Sequence, residues 1–253
     1  MPARTIPMNP MSVTGFLAGK PGEPGVPFES TLERDLYTIL VFDLNVERVI
    51  AQPIELRGED VAGNPITYFP DTLVVYRKDL IPALWMKPML VEVKYRKDLK
   101  ADWSRLKPKF KLARAYARKK GYIFKILTEV EIRTPFLKNA QFLLPYRKNS
   151  VEYGFKGEIL SMLSQLREAT PDQLLAALRK STMGRAELLP ELWRLVVTRQ
   201  IGVDLTLPLT MDSRIWRQGT DEEWSRWAIR NPALFAPASG IDFSTTAPEE
   251  ERR

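Results

Sequence analysis

The order of helix and strand patterns between residues 30 and 127 restricts the fold of this chain more than any other feature. Ser30 is a typical N-cap residue, and the apolar residues after it repeat at helical spacing. A second helix pattern covers residues 102–120 and lies between the last two strand patterns. The full order, α-β-β-β-α-β, predicts a mixed α/β sheet flanked by helices. The strand patterns lie at 46–56, at 66–76, where Pro70 interrupts the strand, at 89–95 and at 122–127.

The C-terminal half contains mostly helix patterns. Thr170 and Pro171 predict an N-cap and a first helical residue, and a further helix pattern covers residues 185–200. Two short strand-like segments follow, at 203–209 and 213–217. Helices followed by a small hairpin are the order of a winged-helix domain. We therefore predict four regions: a mobile N-terminal arm (1–28), an α/β domain (29–140), a winged-helix-like domain (141–217) and a C-terminal extension (218–253).

The composition excludes several kinds of active site. The 253 residues include neither cysteine nor histidine. Disulfides, thiol nucleophiles, Ser-His-Asp triads and zinc sites built from these residues are therefore excluded. Carboxylates, lysines, hydroxyls and metals that prefer oxygen ligands remain available for catalysis. No stretch approaches the roughly 18 apolar residues that a membrane helix needs, so we expect a cytoplasmic protein with no membrane partner.

Positive charge is concentrated in one segment. The chain has a net charge of +7, and 12 of its 38 basic residues lie between residues 96 and 125. The helix pattern inside this segment has one apolar stripe, and its other faces are basic. A solvated face is one interpretation, but such faces usually mix both signs, so we favour contact with nucleic-acid phosphates. The candidate DNA-binding residues are Lys97, Lys107, Lys109, Lys111, Arg114 and Arg118.

Acidic residues on consecutive strands, together with a lysine, are the strongest candidates for an active site. Asp71 follows Pro70, and Glu92 and Lys94 are two residues apart on the next strand, so both project from one face. Two carboxylates can hold Mg²⁺, which keeps several waters and binds phosphate oxygens. Lys94 can orient the attacking water and offset negative charge on the scissile phosphate. The alternative is that Glu92 and Lys94 form a solvated pair on an exposed strand.

Glu33 is a candidate third carboxylate, and the sequence supports two interpretations of it. The segment from Ser30 to Glu33 matches a capping box, in which Glu33 accepts a hydrogen bond from the Ser30 amide. Glu33 also lies beside the predicted apolar stripe of its helix, where a carboxylate is costly unless it is paired or binds a metal. The sequence alone leaves the choice between cap and metal ligand open.

Six short motifs in this order resemble the TnsA endonucleases, the endonuclease subunits of heteromeric bacterial cut-and-paste transposases. The resemblance is close over about residues 28–135. In the C-terminal half it depends on the helix-and-hairpin order. The motifs are Leu32 to Asp35, Gln52-Pro53, Tyr68 to Asp71, Val91 to Lys94, Leu106 to Phe110 and Ile126 to Glu129.

The resemblance implies a restriction-endonuclease-like fold with a PD-(D/E)xK core. It implies that Glu33, Asp71 and Glu92 are metal ligands and that Lys94 is the catalytic lysine, with Mg²⁺ as cofactor and Mn²⁺ able to substitute. The implied activity is hydrolysis of the non-transferred DNA strands at the 5′ ends of the transposon.

The resemblance also implies partners. These are double-stranded DNA at the transposon ends, a DDE transposase subunit that cuts the 3′ ends, and an AAA+ ATPase regulator. The implied location is the bacterial cytoplasm, at the nucleoid when the protein acts. We expect the end of the C-terminal extension, from Asn231, to bind one of the two protein partners.

Two other functions are compatible with part of the pattern. A stand-alone restriction-like or junction-resolving nuclease needs the same metal site but not the motifs between Leu106 and Glu129. A DNA-binding adaptor with an inactive nuclease core does not need the complete set of acidic residues and lysine. Both therefore explain less of the sequence than a transposase subunit does.

Overall fold

The computed structural model describes residues 14–19, 24–60, 62–78, 86–148 and 154–218. These residues form two compact units, and the chain passes from the first to the second between Arg133 and Thr134. The sequence placed this boundary at residue 140, which lies within the first helix of the second unit.

Helix α1 (Thr31–Phe42) provides much of the apolar core of the first unit. Its N-cap is Ser30, as predicted, and the Ser30 hydroxyl accepts a hydrogen bond from the Glu33 amide at 3.1 Å. Leu32, Leu36 and Ile39 recur at helical spacing and are fully buried. The helix therefore begins at a defined residue and presents an apolar side to the rest of the unit.

A four-stranded mixed sheet lies at the centre of the first unit. Strand β6 (Thr72–Tyr76) pairs antiparallel with β3 (Val46–Ala51) on one side and with β7 (Met89–Val93) on the other, and β7 pairs in parallel with β8 (Ile123–Leu127). Parallel pairing requires a long crossover, which two helices between β7 and β8 provide. The prediction of a mixed sheet is confirmed. In spatial order the strands are β3, β6, β7 and β8.

A separate antiparallel hairpin precedes β6. Its strands are β4 (Leu56–Glu59) and β5 (Pro65–Tyr68). The sequence predicted a turn over the whole of residues 58–65. This prediction is wrong at both ends, because residues 58 and 59 belong to β4 and residue 65 belongs to β5. The Asp60 carboxylate accepts hydrogen bonds from the amides of Ala62 and Asn64, each at 2.8 Å. These bonds close the loop within fewer residues than the glycines and prolines suggest, and leave the flanking residues free to pair.

The crossover contains helices α2 (Arg96–Ala101) and α3 (Trp103–Lys120). The prediction of an amphipathic helix over 102–120 is confirmed. The helix ends at Gly121, which has a φ of 71°, a left-handed conformation that favours a residue without Cβ. A short helix, α4 (Glu129–Ile132), follows β8. The buried residues of α3 are Leu106, Phe110, Ala113 and Ala117.

The second unit combines helices with a small sheet. The sheet has the order β10–β11–β9, and both of its pairs are antiparallel. Thr170 caps α7, which begins at Pro171, as predicted. None of the helices in the described part of the chain is long and apolar enough to span a membrane. The elements are α5 (Pro135–Lys148), α6 (Lys156–Leu166), β9 (Glu168–Ala169), α7 (Pro171–Leu178), α8 (Thr182–Val197), β10 (Ile201–Val203) and β11 (Ile215–Arg217).

The hairpin of the second unit has shorter strands and a longer loop than the sequence predicted. Val203 pairs with Ile215, so residues 204–214 form the loop. The buried Asn139 side chain, on α5, donates hydrogen bonds to the carbonyls of Leu205 and Leu207, at 2.9 and 2.7 Å. It also accepts one from the amide of Leu209 at 3.0 Å. These bonds stabilise an irregular conformation that the alternation of residue types does not reveal.

The region predicted to be a mobile N-terminal arm contains an antiparallel pair of strands. Strand β1 (Gly15–Leu17) pairs with β2 (Val26–Phe28), in which Val26 and Phe28 are buried. The nearby glycines and prolines concealed these short strands in the sequence. The other residues of the arm, 1–13 and 20–23, and the extension from residue 219 onward, including the predicted partner-binding segment, lie outside the described residues.

Candidate active site

Asp71 and Glu92 lie opposite each other on neighbouring strands. Thr72 on β6 pairs with Val91 on β7, and this antiparallel register places Asp71, one residue before β6, opposite Glu92. The Asp71 carboxylate accepts a hydrogen bond from the amide of Val93 at 2.7 Å. Strand pairing therefore brings together two of the acidic residues selected from the sequence.

The backbone of Asp71 is held in place as well. Its carbonyl accepts a hydrogen bond from the amide of Gln52 at 2.8 Å and one from the hydroxyl of Tyr37 at 3.4 Å. The Tyr37 hydroxyl in turn accepts a hydrogen bond from Thr72 at 2.7 Å. Gln52 has a φ of 42°, a left-handed conformation that is strained for a residue with a Cβ. The hydrogen bonds to the carbonyl of Asp71 thus fix the position of this residue.

Lys94 contacts both carboxylates. Its Nζ lies 3.1 Å from an oxygen of Glu92 and 4.0 Å from an oxygen of Asp71. The side chain of Glu92 is 2% exposed, whereas that of Lys94 is 34% exposed. The prediction that Glu92 and Lys94 project together is confirmed, and burial excludes the alternative of a solvated pair. Lys94 is the member of the group that reaches toward solvent.

Tyr68 is a fourth member of this group, and sequence reasoning did not single it out. Its buried hydroxyl donates a hydrogen bond to the second oxygen of Glu92 at 2.5 Å. Tyr68 is the last residue of β5, in a hairpin outside the central sheet. Its position in the Tyr68 to Asp71 motif is the only sequence signal that pointed to it, because its contact with Glu92 depends on tertiary packing.

Glu33 makes capping bonds at the start of α1. One of its oxygens accepts a hydrogen bond from the Ser30 hydroxyl and the other from the Glu29 amide, both at 3.0 Å. The cap therefore involves the amide of Glu29 instead of the expected amide of Ser30. The charge of Glu33 also interacts with those of Asp71 and Lys94. Each carboxylate oxygen has a second lone pair, so these bonds are compatible with a further ligand.

Burial and mutual repulsion raise the pKa values of the carboxyl groups. Burial, followed by the charge of Asp71, raises the pKa of Glu92 to about 8 and that of Glu33 to about 7. Burial raises the pKa of Asp71 as well. Burial alone lowers the pKa of Lys94, but the charges of Asp71 and Glu92 outweigh it and raise that pKa above its usual value. The site therefore concentrates negative charge where water cannot screen it.

The donor groups of this site suit a hard divalent cation. No three acidic side chains within the described ranges lie close enough together to form a metal cluster. Asp71 and Glu92 nevertheless offer carboxylate oxygens, and Mg²⁺ in proteins is often held by one or two carboxylates, with waters and phosphate oxygens as its other ligands. Burial raises the pKa values of both groups, and the charge of Lys94, which the two carboxylates share, acts in the opposite direction. A divalent cation supplies the positive charge that the pair lacks.

A second polar cluster holds the segment that follows Lys94. The guanidinium of Arg133 donates hydrogen bonds to Asp35 at 2.9 Å, to Thr31 at 3.2 Å and to the Tyr95 hydroxyl at 3.0 Å. It also lies over the Tyr95 ring, 5.4 Å from its centre. The sequence did not indicate this cluster, because Arg133 is 98 residues from Asp35 and 38 from Tyr95. It connects α1, the end of β7 and the residue after α4.

Four of the candidate DNA-binding residues lie along one side of α3. Lys107, Lys111, Arg114 and Arg118 are exposed, and their spacing of four, three and four residues places them in one row. Lys109 is half-buried and projects from a different side of the helix. Lys97, on α2, is exposed, and its Nζ lies 5.8 Å from the centre of the Tyr95 ring.

Comparison with known protein families finds matches to two family models. The model described as TnsA-like endonuclease N terminal matches residues 43–129. The model described as TnsA endonuclease C terminal matches residues 131–205. A search of curated proteins finds no match to this chain. Asp71, Glu92 and Lys94, together with the row on α3, lie within the first matched range, whereas Glu33 precedes it.

Proposed function

This chain belongs to the TnsA endonuclease family, and on that premise we propose that it hydrolyses the non-transferred strands at the 5′ ends of a transposon. The observation that carries the proposal is the contact of one lysine with two opposed, buried carboxylates, Asp71 and Glu92. A metal-dependent phosphodiester hydrolase needs hard oxygen ligands and a cation beside the scissile phosphate. This group of three residues offers both.

Each residue of the site has a proposed role. Asp71 and Glu92 would hold Mg²⁺, or Mn²⁺ in its place, and the metal would supply activation of water and stabilisation of phosphate charge. Lys94, the most exposed of the three, would orient the attacking water and neutralise charge that develops on the phosphate. Glu33 is the proposed third carboxylate because its charge interacts with that of Asp71, although the three carboxylates do not form a metal cluster in the described structure.

The proposed substrate contact is the exposed row on α3. The crossover that contains this helix begins directly after the strand carrying Glu92. Basic side chains in a row can follow a phosphate backbone, and such contacts position DNA without reading its sequence. We therefore propose that Lys107, Lys111, Arg114 and Arg118 hold the duplex next to the metal site, with Lys97 and Lys109 in supporting positions.

The two units suit two known folds. In the first, a mixed sheet has an acidic residue beside one strand and Glu92 and Lys94 on the next, which supports a PD-(D/E)xK nuclease core. In the second, the order α6-β9-α7-α8-β10-β11 with an antiparallel sheet supports a winged-helix domain. We propose both assignments.

Family membership implies a DNA substrate and a transposase partner in general. We propose more specifically that the partner is a DDE transposase that cuts the 3′ ends, and that an AAA+ ATPase regulates the complex. The C-terminal extension is the proposed docking segment for one of them.

Strand-resolved cleavage of transposon-end DNA tests the proposal. The full chain is incubated with Mg²⁺ and that DNA, with and without the cognate transposase, and each strand is labelled separately. We expect cuts at the 5′ ends that require both Mg²⁺ and the transposase. Equal cutting without the transposase would indicate a stand-alone nuclease, and 3′ cuts alone would indicate an inactive adaptor.

A further inference from the structure

The hydroxyl of Tyr68 has a specific partner and little freedom to change it. It donates to one oxygen of Glu92 at 2.5 Å, while the ammonium of Lys94 lies 3.1 Å from the other oxygen. Both oxygens of the carboxylate are thus engaged, one by a neutral donor and one by a cation. A carboxylate held at both oxygens has a fixed orientation.

Packing locks the Tyr68 ring. Tyr68 is 5% exposed and belongs to an apolar cluster that also contains Leu56, Leu90 and Phe110. Its ring meets the ring of Phe110 edge to face, with centres 6.4 Å apart and planes at 67°. Phe110 lies on the buried side of α3, the helix with the exposed basic row. The hydroxyl therefore cannot turn away from Glu92 without disturbing the contact between the hairpin and α3.

We propose that Tyr68 is a positioning residue of the active site, which orients Glu92 for metal binding through its hydroxyl while the basic helix holds its ring. The inference rests on the proposed function, because it assumes that Glu92 binds a metal. Removing a residue that orients a metal ligand lowers metal affinity or activity by about 10- to 100-fold. Tyr68 acts through Glu92, so it is not itself a catalytic residue.

Metal binding by Tyr68→Phe tests this inference directly. The substitution removes the hydroxyl and keeps the ring. We expect Mn²⁺, titrated into the full-length chain and followed by electron paramagnetic resonance, to bind about tenfold more weakly than to the wild type. Cleavage should fall at low Mn²⁺ and recover toward the wild-type rate as the concentration of Mn²⁺ is raised. Unchanged Mn²⁺ affinity in a folded variant would overturn the inference.

A matched control is Tyr122→Phe. Tyr122 is half-buried beside Tyr116, with ring centres 6.5 Å apart, at the start of β8. Tyr122→Phe also removes a tyrosine hydroxyl, and we expect the Mn²⁺ affinity of this variant to stay within twofold of the wild type. A loss equal to that of Tyr68→Phe would mean that tyrosine hydroxyls affect binding only through general stability, which would also overturn the inference.

A double variant covers the case in which Tyr68→Phe fails to fold. In Tyr68→Phe, the buried charge of Glu92 loses the hydroxyl that donates to it. Glu92→Gln removes that charge. If Tyr68 acts only through Glu92, adding Tyr68→Phe to Glu92→Gln should leave Mn²⁺ affinity unchanged. A further loss would overturn this route of action. Absence of Mn²⁺ binding by the wild type would instead refute the proposed metal site, and the inference with it.

Discussion

Glu92 in the first unit and Glu191 in the second are both almost completely buried, but their surroundings differ. Glu191 accepts two hydrogen bonds from the guanidinium of Arg194, one turn along α8, at 2.7 and 2.6 Å. Glu92 shares the ammonium of Lys94 with a second carboxylate, that of Asp71. Glu191 thus has a partner of opposite sign at both of its oxygens, whereas the two buried carboxylates in the other unit share one partner.

This difference separates a buried charge that supports the fold from one that supports chemistry. A carboxylate paired at both oxygens with an arginine recovers much of the cost of leaving water. Two neighbouring carboxylates repel each other where screening is weak; burial first, and then the charge of Asp71, raise the pKa of Glu92 to about 8. Buried groups that repel each other in this way concentrate at functional sites. Burial of a charge is therefore less informative than the balance of charges around it.

Neutralising the repelling pair should have the largest effect on function. Asp71→Asn and Glu92→Gln each remove a proposed metal ligand, so we expect cleavage of the 5′ ends to fall by at least about a hundredfold. Each also removes repulsion, so the melting temperature should stay the same or rise. Strand-resolved cleavage and thermal melting measure the two effects. Cleavage at the wild-type rate by either variant would show that the site is elsewhere.

Neutralising Glu191 should have the opposite outcome. Glu191→Gln removes the charge that accepts two hydrogen bonds from Arg194, so we expect the free energy of unfolding to fall by about 2 kcal/mol. Cleavage at a temperature where the variant is folded should equal that of the wild type. Urea unfolding measures the first quantity. A loss of cleavage without a loss of stability would contradict the comparison.

Reversing charge on the basic row should weaken DNA binding without changing sequence preference. In a variant with Lys107, Lys111 and Arg118 replaced by Glu, we expect the slope of log affinity against log salt concentration to flatten by up to about 2.7, or about 0.9 per lost phosphate contact. Titrations of labelled duplex at several salt concentrations, in the presence of the transposase, give the slope.

The same helix offers a matched control for this variant. Arg105, Lys119 and Lys120 project from other sides of α3, and their reversal changes the net charge by the same amount. We expect a smaller change of slope for the control. Equal changes in the two variants would indicate attraction by overall charge and not contact by the row.

The smallest expected effect is a pH dependence of stability in the metal-free chain. The pKa of Glu92, about 8, and that of Glu33, about 7, exceed the ordinary value of 4.5. The folded chain thus holds protons that the unfolded chain has released, so the free energy of unfolding should fall as the pH rises from about 4.5 through about 8. Melting in a chelating buffer from pH 5 to 8.5 should show this fall. Glu92→Gln should reduce this fall, and a rise of the free energy of unfolding with pH would contradict the assignment.

The sequence predicted those features that depend on local patterns. The N-cap at Ser30, the amphipathic helix over 102–120 and the projection of Glu92 and Lys94 from one face all follow from spacing along one element. The mixed sheet followed from the order of elements. The resemblance of the chain to the TnsA family likewise followed from short motifs in a particular order along the chain, and the family matches confirm it.

Features that depend on contact between distant elements were not predictable in this way. Tyr68 reaches Glu92 because a hairpin outside the central sheet packs on α3, and no periodicity within the hairpin encodes that packing. Arg133 reaches Asp35 across nearly 100 residues for the same reason. The capping role of Glu33 was predictable, but its choice of the Glu29 amide depends on the backbone before the helix.

The side chain of Asn139 has a consequence for the motions of the second unit. It binds two carbonyls and one amide of the loop at residues 204–214, so losing its position breaks three hydrogen bonds together. We therefore expect residues 205–209 to open together and not residue by residue. The amide hydrogen of Leu209 should then exchange with solvent at the rate of that opening. One buried side-chain amide thus couples the opening of these residues.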